Sequence, residues 1–283
     1  LINNDGVHEF QTANILTDEN KFNEYIINFI NEQKAINQTS AKRIPVLPNI
    51  IRINDIENEI KDLMSVPIGI SKNSLEIIKY DFISNICTIV SSNKLINTKK
   101  FILSLFEILK LIVKDNLVVI DSVIDLNVNV NNYKNYYNNN FDYVIENLNK
   151  LIDNLISNNS NEKGMILIYG VNKFLNNLEK ISNFETLLEK LKRYEKFGIT
   201  IVEDTTKLKN QQYENWFNNN FSASDGIWIG RGVSDSIFKL STLEKEMMED
   251  IKNNMGYFVQ EGIATKVKFI DFISNENDGD ENE

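Results

Sequence analysis

A chain of 283 residues can bury one large core, or one core and part of a neighbour. Its 40 acidic and 30 basic side chains give a formal charge of -10, which argues against a nucleic-acid surface, because phosphate neutralisation needs concentrated Lys and Arg. One cysteine, Cys87, and one histidine, His8, leave no material for internal disulfides, a histidine zinc site or a histidine-based triad.

The chain opens without Met at LINNDGVHEF and reads as a piece of a longer protein. No apolar run reaches membrane-spanning length, and there is no charged-then-apolar signal. Val7 to Gln11 has strand character. Asp18 is placed to cap a helix over 19–36 whose Phe22, Ile26, Phe29 and Ile30 share a face. Gln38 to Asn49 holds two of the three prolines, an extended linker with a domain boundary near 45. Ile53, Ile56, Ile60 and Leu63 predict a short amphipathic helix, and Val66 to Gly69 a turn. Strands are then expected at 77–80, 86–90, 117–120, 165–169 and 199–202, helices at 99–113 and 141–156, and one or two helices over 173–194. The Asn-rich stretch 127–140 reads as a loop. Asn is abundant throughout while apolar periodicity persists, so the sequons at Asn37, Asn158 and Asn220 reflect composition. Alternating strands and helices imply a mainly parallel sheet covered on both faces. Strands at 227–229, 257–260 and 265–270, joined by short turns, read as antiparallel additions. The acidic stretch 274–283 is expected to be disordered.

Residues 86–113 form a strand, a short polar loop and a helix that starts with lysines, the frame of a phosphate-binding loop. Such a loop needs glycines so that its backbone N–H groups can curl around phosphate oxygens. Yet no glycine lies between Gly69 and Gly164.

Several strings resemble one family: IPVLPNI at 44–50, VPIGI at 66–70, LVVID at 117–121, SDGIWIGRGVSDS at 224–236 and NMGYFVQEGIATKVKFI at 254–270. They resemble the C-terminal ATPase domain of the FtsK/SpoIIIE-type motor of Gram-positive type VII secretion systems, the EssC family. The resemblance implies a RecA-like P-loop NTPase fold over 45–273, the last of a tandem array on the cytoplasmic side of a membrane-anchored bacterial secretion protein. Residues 1–44, with EFQ-x-A at 9–13, would be the end of the preceding ATPase domain and a linker. Implied partners are the signal peptide of small secreted WXG-type proteins, the adjacent motor domains of the same chain and a hexamer in the full machine, with no nucleic acid.

The best Walker A register places Asn93 and Thr98 at the two glycines, Lys99 at the lysine and Lys100 at the hydroxyl. Asn93 is a tolerable substitute because Asn visits the left-handed region. Thr98 puts a branched Cβ where phosphate would approach, and an ammonium at Lys100 repels the Mg²⁺ that Ser or Thr would bind. The metal-holding acid of the family ends the strand MILIYG, where Tyr169 and Gly170 stand instead. Asp121, at the end of LVVID, matches the second strand and is the remaining candidate carboxylate; Asp125 follows as a turn acid. Arg231, between Gly230 and Gly232, could reach a neighbouring subunit or be a hairpin arginine paired with Asp225 or Asp235. Trp228 reads as core. Trp216 and Phe217 suggest helix packing or an aromatic groove, and a helix over 242–253 would offer Leu243, Met247 and Met248 on one side, as core or as a peptide pocket.

These readings lead to an ATPase-like domain with eroded Walker motifs, no catalytic residue and no bound metal, weak ATP/Mg binding at most, and a role in substrate recognition and regulation of export. The alternative is an active motor domain in which Asn replaces Gly and Lys99 and Asp121 are both required; a DNA translocase is disfavoured by charge. The conformation of 91–100 separates the first two. A wrapped loop with convergent N–H groups favours nucleotide, and a collapsed loop with Leu95 or Ile96 filling the pocket does not.

Overall fold

The computed structural model describes residues 2–3, 6–7, 19–36, 46–126, 132–248 and 254–272. The chain divides into two compact units, Leu1–Pro45 and Val46–Glu283. The first holds a two-stranded antiparallel pair, β1 (Ile2–Asn3) and β2 (Gly6–Val7), and helix α1 (Glu19–Ile36). The Asp18 cap, most of the strand expected at 7–11, the EFQ-x-A string and the acidic stretch 274–283 lie outside the described residues.

The second unit is a ten-stranded sheet. Its strands are β3 (Val66–Ser71), β4 (Ile77–Tyr80), β5 (Cys87–Ser92), β6 (Leu117–Asp121), β7 (Tyr136–Tyr137), β8 (Gly164–Tyr169), β9 (Phe197–Asp204), β10 (Gly226–Ile229), β11 (Met255–Gln260) and β12 (Ile263–Phe269). The order is β4-β3-β12-β11-β10-β5-β9-β8-β6-β7. From β10 to β7 all pairings are parallel; from β10 to β4 all are antiparallel. This is the mixed α/β fold expected, with the antiparallel strands at one side.

The parallel strands are short β-branched runs buried on both faces, as helix-covered strands must be. Alternate residues enter opposite cores. Val118, Ile120, Ile166, Ile168, Ile199 and Ile201 face α4 (Phe141–Ser157) and α6 (Ile181–Tyr194). Val119, Met165, Leu167, Tyr169 and Val202 face α3 (Lys99–Val113) on the other side.

Three local expectations are corrected. The 53–63 helix is only a short α2 (Ile53–Ile56) followed by a 3-10 turn over Glu57–Glu59. Val66 to Gly69 is strand β3 rather than a turn. Pro67 is tolerated there at an irregularity of the β3–β4 register, and Gly69 lets the Lys268 carbonyl of β12 approach where a Cβ would collide. The polar stretch after β9 contains α7 (Thr205–Gln211) and α8 (Asn215–Asn218), and of the one or two helices expected over 173–194 there are two, α5 (Val171–Asn176) and α6. Of the helix expected at 242–253, the described part is a 3-10 turn over Lys245–Met248.

Candidate functional site

In an open parallel sheet, ligands bind outside the carboxyl ends of the strands, where the strand order reverses. Here that crevice is at β5, because the chain crosses from β5 to β6 on one side and returns to β10 on the other. β5 ends in Ser91-Ser92, aligned with Glu203-Asp204 of β9, and the segment 93–98 leads into α3.

That segment is folded on itself. Residues Leu95–Thr98 form a 3-10 turn. The Asn97 N–H donates to the Lys94 carbonyl at 3.0 Å, and the Lys99 N–H to that of Ile96. These two amides serve the turn, not a shared concavity. The Thr98 side chain is buried and its hydroxyl donates to the Leu95 carbonyl at 2.7 Å, so it does not cap α3. Leu95 packs against the core, whereas Ile96 points to solvent. The Lys99 ammonium pairs with Asp125 Oδ1 at 3.0 Å, and Lys100 is exposed.

Tyr169 ends β8 at the position where the resemblance puts a metal-holding acid. It is fully buried, and its hydroxyl donates to the same Leu95 carbonyl at 3.2 Å. Burial, with the Asp125, Asp121 and Glu203 charges adding to it, pushes the phenol up. It therefore remains a protonated donor at any physiological pH. Gly170 then takes a φ of +80° as the residue before α5, a conformation natural to glycine.

Asp121 lies two strands from β5, at the end of β6. Its buried carboxylate accepts from the N–H of Ile124 and Leu126 and from the Tyr136 hydroxyl, each at 2.9 Å. It organises the turn after β6, and its partners are internal. That turn holds Ile124, an exposed β-branched residue, at φ +59°.

Arg231 sits on the turn after β10. Its carbonyl accepts from Asn93 Nδ2 and from Trp228 Nε1, both at 3.1 Å. The fold thus joins Asn93 to Arg231, Thr98 to Tyr169 and Lys99 to Asp125 around one loop. Trp216 and Met247 belong elsewhere. Trp216 is 1% exposed within an aromatic cluster with Phe184, Phe217 and Phe221, and it borders a surface cavity lined also by Glu185, Glu189 and Lys192. Met247 is 4% exposed in the core, while Leu243 and Met248 face solvent, so the three do not share a face. Both expected interface side chains are core residues because α8 and the 245–248 turn pack inward.

Glu203 was not anticipated. It is a buried acid at the end of β9, accepting from the N–H of Asn172 and Asp204 at 3.0 and 2.9 Å and pairing with Lys207 at 3.2 Å. Burial raises its carboxyl despite those donors. Burial would also raise neighbouring Asp204, but its bonds to the Lys207 ammonium and N–H outweigh that and lower it. The sequence signal was available: ITIVED, like LVVID, is an apolar run that ends in acid.

No protein-family model matches the chain, and no curated protein is similar to it in sequence. Among solved structures it is similar to EssC (ATPases 2 and 3) from Geobacillus thermodenitrificans, at 12% identity and a TM-score of 0.71, over 90% of this chain and 51% of that one. The cytoplasmic domain of EssC aligns at 12% identity and a TM-score of 0.63, over 94% of this chain and 58% of that one. Thermomonospora curvata EccC (ATPases 2 and 3) in complex with a signal sequence peptide aligns at 14% and 0.61, over 91% and 50%. The chain spans about half the length of these neighbours. At such identities the likeness speaks for the fold, and the chain has the α/β ATPase fold seen in the cytoplasmic domains of type VII secretion motors.

Proposed function

We propose that this chain is a degenerate, non-hydrolysing ATPase-like domain of a type VII secretion motor, recognising the signal peptide of an exported WXG-type protein and regulating export. The supporting observation is the Tyr169–Leu95 bond. A tyrosine at the strand end closes the loop 93–98, at the point where a phosphate and its metal would need open N–H groups and an acid. Phosphoryl transfer depends on positioning and on charge neutralisation, and the loop is shaped for neither. The signal peptide bound to the EccC neighbour supports the recognition role. In this reading the domain works beside further motor domains of one membrane-anchored chain, within a hexamer, without ATP/Mg and without nucleic acid.

The test is titration of the chain with a synthetic WXG-protein signal peptide, with and without Mg-ATP. The reading expects the same affinity in both conditions. No peptide binding, or binding only in the presence of nucleotide, counts against it.

A further inference from the structure

We propose that Glu203 couples the strand-end crevice to the surface cavity beside Trp216, holding the indole through a chain of hydrogen bonds that runs by way of Asn172 and Gln211. The Asn172 N–H, in the first turn of α5, donates to Glu203 Oε2 near the end of β9 at 3.0 Å. The Oδ1 of the same asparagine accepts from Gln211 Nε2, on the last residue of α7, at 3.1 Å. Gln211 Oε1 accepts in turn from Trp216 Nε1 of α8 at 3.4 Å. Every donor points toward Glu203, so the bonds are aligned and end on one carboxylate. An ionised acceptor makes the strongest of them and polarises the rest.

Glu203 also grips the other end of α7. Its Oε1 accepts from the Asp204 N–H at 2.9 Å, just before the helix, and from the Lys207 ammonium at 3.2 Å. The helix has seven residues, about two turns and about 10 Å, so one acid fixes the start of this lever and, through Asn172, its finish. Trp216 follows in α8, where it borders a cavity of about 390 Å³ lined also by Glu185, Glu189, Lys192 and Asn219. The groups that face Glu203 are Asp204 and Lys207 of α7, the Tyr169 phenol of β8 and the Asn172 N–H of α5. From β5, the Ser91 hydroxyl donates to the Glu203 carbonyl at 2.8 Å. Burial raises the Glu203 carboxyl, so its charge, and with it the hold on Trp216, is lost at a pH above that of an exposed glutamate. The coupling is independent of whether the chain binds peptide or nucleotide.

Proton–nitrogen NMR of the full chain tests it, because each of the two tryptophans gives its own indole signal and Trp228 is bonded elsewhere, to the Arg231 carbonyl. The Trp216 signal should follow a titration above the ordinary glutamate range, and that of Trp228 should not. Glu203→Gln keeps the shape and removes the charge; it should shift the Trp216 signal at neutral pH and abolish that titration. Gln211→Met, at a half-buried helix end, cuts the chain without touching the acid, and decides the matter alone if Glu203→Gln fails to fold. It should abolish the same titration. Because the chain favours ionised Glu203, it should also move the midpoint of the Glu203 carboxyl resonance to higher pH. A Trp216 titration confined to the ordinary range and unchanged in both variants belongs to Glu185 and Glu189 beside the cavity and would overturn the coupling. Equal shifts of both indoles in either variant would overturn it too.

Discussion

The Tyr169 phenol and the Thr98 hydroxyl share the Leu95 carbonyl, so one backbone oxygen fixes the loop from both the β8 side and the α3 side. Tyr169→Phe keeps the ring in the core and removes one of these donors. Chemical denaturation should show a loss of about 1 kcal/mol, the net worth of one neutral hydrogen bond. No change would mean the bond does not hold the loop. A second residue-scale test concerns Ile124. The left-handed conformation costs an L-residue about 1–2 kcal/mol, and more where Cβ is branched, unless the surroundings impose it. Asp121 imposes it here by accepting the Ile124 N–H. Because Ile124 is exposed, Ile124→Asn gives up little packing and should raise stability by about 1 kcal/mol in the same assay. A drop would show that the side chain makes a contact worth more than the strain.

Among the elements, the 245–248 turn carries an exposed ion-pair cluster beside its buried Met247. Glu246 accepts from Lys266 at 2.8 Å and Lys72 at 2.7 Å, and its carbonyl accepts from the Tyr257 hydroxyl at 3.0 Å. The Lys266 bond first, then the Lys72 bond, pulls the Glu246 carboxyl from 4.5 down to about 2. A depressed carboxyl contributes stability that is fully present above the unfolded value and is lost as pH falls through the folded one. Thermal unfolding should therefore lose this contribution between pH 4.5 and about 2, and Glu246→Gln should flatten that part of the profile. The effect will be small, because the group is well solvated. An identical profile in the variant would contradict the assignment.

Elements with strong patterning were legible in the sequence. The strands β5, β6, β8 and β9 are apolar β-branched runs, and α3, α4 and α6 have clear helical periods. β3 was hidden by Pro67 and Gly69, which look like a turn until its partner β12 is known, and α7 and α8 by a polar stretch without a period. The frame of the candidate site was legible from the spacing of strand, loop and lysines. Its closure was not: the Asn93–Arg231 bond spans 138 positions and the Tyr169–Leu95 bond 74, and neither leaves a local trace. Trp216 and Met247 were ambiguous for the opposite reason, since an aromatic or a methionine suits a core and a binding surface equally.

For the whole molecule, the parallel half of the sheet supplies the frame of a nucleotide site, and its strand ends are filled from within. Tyr169, Asp125 and Glu203 direct their polar atoms to Leu95, Lys99, and Asn172 with Lys207. A net charge of -10 disfavours tight, salt-sensitive DNA binding. Among the described residues no helix is long and apolar enough to cross a membrane. The account turns on the loop 93–98, and calorimetric titration of the chain with Mg-ATP tests it most directly. The prediction is no saturable heat at millimolar nucleotide and no turnover, with Lys99→Ala indistinguishable from the parent chain. Micromolar Mg-ATP affinity that Lys99→Ala abolishes would contradict it.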